Sequence, residues 1–312
     1  MEARRGTTKS FPEDRTLTTE KKSTIAAAVA AATEQLVAAL REGKTEVLTR
    51  YLEAMGRFRK YSFTNSMLIY CQKPDATRVA GFHTWKTAFG RNVKKGEHGI
   101  MIMAPMVRTK RAKSEGNIVS IDAEPAKFIS FRPVYVFSED QTEGDPLPDL
   151  RSSRVEGDAA VHLERMVKHV AASGITLEYG DSTMQADGVS HGGRIVLKPG
   201  MTEAETMSVL VHEYAHEQLH KGDRRKNTTK KVRETEAEAV AHVVCSSLGF
   251  ATNGASETYI GLYEGDADLL MASLSLIQKT ATDILVAIAD PVKQETNDVG
   301  LQEPASALPL AA

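Results

Sequence analysis

The chain predicts an α+β fold, and three observations carry that reading. The first half reads as helices followed by strands. The second half reads as a helix, two short strands and then long helices, without the strand–helix alternation that builds a parallel sheet. Between them, residues 139–152 are acidic, carry two prolines and show no apolar period, which predicts a linker between two domains.

The 312 residues are enough for two ordinary domains, and 41% apolar with 26% charged content is the balance of a soluble globular protein. A net charge of −2 excludes a global attraction to polyanions, so any such partner has to be met by local clustering. Cys71 and Cys245 form no CxxC pair, which argues against a disulfide framework and for a reducing compartment. The alanine-rich run 25–32 is short and lies behind a polar leader with Glu2, Glu13, Asp14 and Glu20, unlike a secretory signal. No uninterrupted run approaches the roughly 18 apolar residues of a membrane span. The expectation is a cytoplasmic protein without a membrane partner.

Residues 1–17 are polar and charged, as in a disordered tail, and a domain is expected over 18–138. Within it, Ile25, Val29, Leu36 and Leu40 recur near helical spacing and predict a helix over Thr18–Leu40. Further helices are expected over Thr45–Met55 and Asn65–Gln72, the last stopped by Pro74. Branched and aromatic residues predict strands at Gly99–Val107, Ile118–Ile121 and Phe128–Phe137, with Lys110–Gly116 as the hairpin connection between the first two. The second domain, 153–289, is expected to hold a helix over Asp158–Ala172 and strands at Ile175–Tyr179 and Gly193–Lys198. Helices follow over Glu203–Lys221, Lys231–Leu248 and Ser256–Ala289, the last broken at Glu264–Asp266, before a flexible tail over 290–312.

The strongest chemical signal is His212-Glu213-Tyr214-Ala215-His216. Helical residues four apart share a face, so His212 and His216 can hold one ion through two imidazoles. Glu213 then stands beside the ion, where a carboxylate can act as general base toward water that the metal acidifies to a pKa of about 7. A five-residue pattern also occurs by chance on helices whose histidines face solvent. The context favours a metal: Val209-Leu210-Val211 is a buried lead-in, and Gly193–Lys198 precedes the helix as an edge strand lining a peptide cleft would. A following helix carries Glu234, Ala237, Glu238 and Ala241 on one face. A catalytic zinc takes three protein ligands and leaves one position open. Glu234 can be the third ligand, with Glu238 orienting a histidine through its free ring nitrogen, although Glu238 as ligand stays open. The alanines permit close helix approach, and Glu236 points to another face, toward solvent. His220, one turn beyond His216, is either a second-layer partner of the site or a helix C-terminal histidine. His242 either faces the site or packs. Tyr259 either reaches over the cleft as an oxyanion donor or belongs to the core. Zinc is the expected ion, with another divalent metal possible.

These residues, with Glu234–Ala241, resemble gluzincin metallopeptidases, close to the ImmA/IrrE type, over roughly residues 160–250. The glycine and third histidine of metzincins are lacking, since His220 comes too early.

From Lys86 to Lys113 there are eight basic residues against one acidic, Glu97, with Tyr61, Phe63, Tyr70, Phe82, Trp85 and Phe89 nearby. Basic charge follows a phosphate backbone and aromatic faces stack on unpaired bases, but a solvated basic face over core aromatics has the same composition. The words Tyr61–Ile69, Arg78–Trp85, Gly90–Ile100 and Val136–Gly144 resemble, in that order, the N-terminal domain of ArdC-type antirestriction proteins. That resemblance covers about residues 20–145, and a C-terminal zincin-like domain is that family's layout. It implies single-stranded DNA as partner, on behalf of a mobile element. Asn65, Trp85, Arg91, Lys94 and Lys95 are the expected contacts, from charge, aromaticity and position within these words. A DNA-tethered metallopeptidase cutting DNA-bound proteins is the alternative. An ImmA-like regulator protease fits less well, because the first half carries no helix-turn-helix pattern.

Overall fold

The structure is a computed structural model that describes residues 19–42, 45–109, 127–147, 159–250 and 267–289. The expected tails 1–17 and 290–312, the strand Ile118–Ile121, the connection Lys110–Gly116, the break at Glu264–Asp266 and Tyr259 lie outside the described residues.

Three helices open the fold, α1 (Thr19–Arg41), α2 (Thr45–Arg57) and α3 (Phe63–Gln72), near their expected bounds. Ser62 caps α3, its hydroxyl accepting from the Asn65 amide. Short β1 (Val79–Gly81) leads into α4 (Phe82–Phe89), which no sequence signal predicted because its eight residues are rich in aromatics and threonine. Gly90, in the left-handed region at φ 62°, ends it. β2 (Arg91–Val93), β3 (Ile100–Thr109) and β4 (Lys127–Ser138) follow, then a 3-10 turn over Glu139–Gln141 and β5 (Thr142–Gly144). β3 pairs antiparallel with β4 over the full length of β3, in the sheet order β1-β4-β3, and β2 pairs with β5. Residues 139–144, expected to begin the linker, therefore fold back onto the first half. The reason is local: the Gln141 side chain caps the Ser138 amide and donates to Glu97 and the His98 carbonyl.

The ribbon β3–β4 buries one face. Ile100, Ile102, Val136 and Val79 pack with Phe58 and Ile69. The free edge of β3 is closed by two side-chain amides of α3. Asn65 exchanges two hydrogen bonds with the Met103 backbone, each of 2.8 Å, and Gln72 two with Met101, each of 2.9 Å. Residues seven apart on a helix and two apart on a strand thus meet in register, satisfying groups that a strand would otherwise pair.

The second half contains α5 (Ala159–Ala172), β6 (Thr176–Tyr179), β7 (Gly188–Ser190), β8 (Arg194–Leu197), α6 (Glu203–Leu219), α7 (Gly222–Asn227), α8 (Lys230–Leu248) and α9 (Ala267–Ala287). The sheet order is β6-β8-β7. The strand at 194–197, expected at the edge, is therefore central, flanked by parallel β6 and antiparallel β7. The weakly patterned Gly188-Val189-Ser190, unread in the sequence, takes the edge instead. α6 starts in a capping box between Thr202 and Glu205, and α8 ends at Gly249 in the left-handed region.

The helices of both halves share one core. Leu36, Leu48, Leu52 and Met67 of α1–α3 lie in the same buried cluster as Leu210, Val240, Leu274 and Ile277 of α6, α8 and α9. α2 approaches α8 so closely that a Cβ at Gly56 would stand 2.2 Å from Ser247 Oγ. α9 is long and apolar enough to cross a membrane, which corrects the expectation from uninterrupted runs: serines, threonines and Gln278 break the run without lowering its average. Its buried Leu270, Leu274, Ile277, Ala281 and Ile284 make it a core helix in this structure. Cys71 and Cys245 are free.

Candidate metal centre

α6 and α8 bring His212, His216 and Glu234 together. His212 Nε2 and His216 Nε2 are 3.1 Å apart, and Glu234 Oε2 is 3.6 and 3.5 Å from them. A tetrahedral ion with bonds of about 2.0–2.2 Å keeps its donors about 3.3–3.5 Å apart, so this triangle fits a divalent metal with one position to spare. Two neutral nitrogens and a carboxylate form a donor set of that type, and these are the residues that can hold an ion among those described. Buried Ala237 and Ala241 on α8 permit the approach of α6. Glu238 lies outside the triangle, with Oε2 3.3 Å from His212 Nδ1, where it orients the ring.

His216 is oriented by a longer chain. Its Nδ1 is 2.9 Å from His220 Nδ1, and His220 Nε2 is 2.9 Å from Glu236 Oε2. Glu236 also pairs with Arg224. Its side chain is 0% exposed, which corrects the expectation that it points to solvent: α7, unread in the sequence, delivers Arg224 to it. Although desolvation opposes it, the bond from His220 and the charge of Arg224 hold the Glu236 carboxyl below the usual range, and so ionised. An ionised carboxylate only accepts, so His220 Nε2 is the donor. In the singly protonated ring that this selects, His220 Nδ1 accepts from His216 Nδ1 and the His216 Nε2 lone pair is aimed into the triangle. His220 is at once the C-cap residue of α6 and the partner of His216; the two readings of it were not exclusive.

Charges follow the same order. Desolvation, then the neighbouring His212 charge, lowers His216 to about 4. His212 overcomes its own desolvation through the bonds to Glu234 and Glu238 and is pushed up to about 9. Glu234, bonded to His212, is lowered to about 2. Glu213 is buried, and desolvation raises its carboxyl above the usual range, with the nearby Glu234 charge adding to the effect.

Edge strand β7 lies over this helix. A Cβ at Gly188 would meet Glu213 Cγ at 2.8 Å and Val209 Cγ1 at 2.6 Å, so only glycine lets the strand come so near. Glu217, missed in the sequence, pins the β7–β8 turn. Its carboxylate accepts from Ser190 Oγ at 2.5 Å and from the Gly192 and Gly193 amides, each at 2.7 Å. The one available signal was its position four residues after Glu213, opposite a Gly-Gly turn. His242 is buried, beside Glu53 and Glu238.

The residues expected to touch DNA fall into two groups. Asn65 and Trp85 are buried, the first on Met103 and the second donating Nε1 to the Phe137 carbonyl at 2.8 Å, so neither offers a face to a base. Within their sequence words they are fold determinants. Arg91 donates to Thr142 and to the carbonyls of Thr142, Gly144 and Asp145, tying β2 to the segment after β5. Lys94 Nζ donates to the Asp140 carbonyl, yet Lys94 is exposed, as is Lys95.

A helix-borne two-histidine, one-glutamate cluster beside a sheet edge, joined through a common core to a helix-backed antiparallel ribbon, defines an α+β protein with a candidate metal centre. Residues 19–137 match the family of the N-terminal domain of anti-restriction factor ArdC. The metal-free crystal structure of the antirestriction ArdC protein from plasmid R388 aligns with TM-score 0.50 and 18% identity, covering 83% of this chain and 96% of that one. The Mn(II)-bound structure of the same protein aligns with TM-score 0.42 and 18% identity, over 77% and 98%. An uncharacterized Bacillus anthracis protein, pXO2-81, is 24% identical over 279 aligned residues, 77% of this chain and 47% of that protein, so the chain spans about half the length of that relative. The match to the ArdC N-terminal domain family covers residues 19–137, and the chain as a whole shares the fold of the metal-free ArdC structure.

Proposed function

We propose that the chain is an antirestriction protein that binds single-stranded DNA through its first half and holds a zinc-loaded peptidase centre in its second. The functional division is expected at residues 139–152 between halves 18–138 and 153–289; because 139–144 pair with the first half, it falls after residue 144. The observation that carries the metal reading is the triangle of His212, His216 and Glu234 with Glu213 beside it. Two imidazoles and one carboxylate with an open position suit zinc, although other divalent ions share these donors. A bound ion would supply Lewis-acid polarisation of a carbonyl and of water. Glu213 accepts the proton of the attacking water and passes it to the leaving amine, a role that its raised pKa suits. β7 offers a strand edge along which an extended peptide can lie. Glu238 and His220 orient the two ligand rings from behind, and Tyr259 is a candidate oxyanion donor. A purely structural zinc has no use for a buried carboxylate beside it, so peptidase activity on proteins met on DNA is favoured over an inert site.

The DNA reading rests on the ArdC N-terminal domain family and on the exposed basic loop at Lys94 and Lys95. The same reading places the protein in the cytoplasm. Binding of a fluorescent single strand, with duplex competitor, is expected to be selective and to weaken steeply with salt. Glu213→Gln should leave that binding intact and abolish metal-dependent cleavage of DNA-bound protein. Cleavage that persisted in Glu213→Gln would sink the peptidase half, and equal affinity for duplex would sink the DNA half.

A further inference from the structure

The β3–β4 ribbon has two faces. Directly opposed residues share a face, and the inward set, Ile100, Ile102 and Val136, is buried. The outward set is unusual. Phe131 is 53% exposed and Tyr135 59%, with Pro133 between them on β4 and Met101 and Met103 opposite on β3. At the end of this stripe Phe82 is 51% exposed, its ring 6.2 Å from Phe137. Folding gives no reason for these rings to face solvent. Four residues apart on one strand, Phe131 and Tyr135 stand about 13 Å from each other, too far to pack together. Contiguous exposed apolar surface of this kind marks a binding site.

Charge identifies the occupant. Lys86 follows Phe82 by one helical turn and is exposed. The loop carrying exposed Lys94 and Lys95 ends at Gly99, where a Cβ would meet Tyr135 at 2.8 Å and Phe137 at 3.2 Å. The basic residues therefore border the aromatic stripe. Among those from Lys86 to Gly99 the one acidic residue is Glu97, which is engaged by Gln141. An added peptide strand is disfavoured, because Asn65 and Gln72 already occupy the β3 edge.

We propose that the outer face of this ribbon, through Phe131 and Tyr135 with Phe82 at its end, is a platform on which bases of single-stranded DNA stack, their phosphates running past Lys86 and Lys95. This rests on the reading above that the chain binds single-stranded DNA, and it replaces buried Trp85 and Asn65 with Phe82, already noted beside the basic stretch, and with Phe131 and Tyr135, which the sequence did not single out. Aromatic faces tolerate any base, so the platform confers affinity without sequence preference.

The test compares a labelled oligo-dT with an abasic oligomer of equal length, using the full chain. The wild type should prefer oligo-dT. The Phe131→Ala/Tyr135→Ala double variant should bind oligo-dT at least about tenfold more weakly while abasic binding and thermal midpoint stay unchanged. Tyr135→Trp should keep the affinity and show fluorescence quenched by oligo-dT but not by the abasic strand. Wild type that binds oligo-dT while the double variant binds it equally would overturn the platform and leave the DNA reading standing. Wild type that binds neither oligomer would overturn both. A wild-type dimer that the double variant dissociates without loss of DNA affinity would assign the face to a second copy and overturn the proposal.

Discussion

At the residue scale, the metal centre is governed by proton positions as much as by ligand identity. With its ring raised to about 9 while His216 is lowered to about 4, His212 is expected to hold a proton on Nε2 within the donor triangle at neutral pH. A metal ion takes that proton's place, so binding at pH 7 should release about one proton per ion, read by calorimetry in buffers of different ionisation enthalpy. The sign follows: higher pH weakens the competing proton. Affinity should therefore rise about tenfold per pH unit between about 4 and about 9, and level off above. No proton release would place the ion elsewhere. The chain from Arg224 through Glu236 and His220 fixes the tautomer of His216, so Glu236→Gln, whose amide can donate to His220, removes that constraint. Zinc affinity should fall about 10–100-fold by competition with a chromophoric chelator, and an unchanged value would deny the chain its role. The candidate ligands His212 and His216 were legible because i, i+4 spacing is a property of the helix itself. Glu236 was not, because its burial depends on α7, a six-residue helix of charged residues with no apolar period.

At the scale of elements, strands were legible where branched residues ran long and illegible where three residues sufficed. β3 and β4 announced themselves; β1, β2, β5 and β7 are held by single-residue devices such as the Glu217 carboxylate and the Arg91 guanidinium, which pattern cannot display. Asn65 and Trp85, expected at a DNA surface, lie buried for a related reason. A tryptophan or asparagine inside a family word looks like a contact, yet here each satisfies backbone groups of the ribbon. Asn65→Leu would leave the Met103 amide and carbonyl without partners and should cost about 1–3 kcal/mol, measured as a lower urea midpoint. An unchanged midpoint would mean that the β3 edge is satisfied by water. The same substitution should not alter DNA affinity beyond its effect on stability, which separates a supporting amide from a contact.

At the scale of the whole molecule, the two halves predicted from composition share one buried cluster, and α9 closes it from the C-terminal side. Gln278 donates to Ser66 Oγ at 2.8 Å and to the Tyr61 carbonyl at 3.1 Å. A composition shift at 139–152 marks a change of surface, which a sequence reveals, whereas joint burial across some 200 residues leaves no local trace. One cooperative transition is expected, with Trp85 fluorescence and far-ultraviolet dichroism coinciding. Zinc at about 100 times its Kd should raise stability at the distant Trp85 by about 2.7 kcal/mol. Two transitions, or a metal effect that Trp85 does not report, would show the halves to be independent. The position of Gln278 also sets a timetable. On the ribosome α1–α3 emerge well before α8 and α9, and at about 5–20 residues per second the interval to α9 is about 10–40 s. Through it Leu48, Leu52 and Met67 lack the surfaces that later cover them, so the nascent chain is expected to expose apolar surface of the kind holdase chaperones bind, and co-expressing such chaperones should raise its soluble yield.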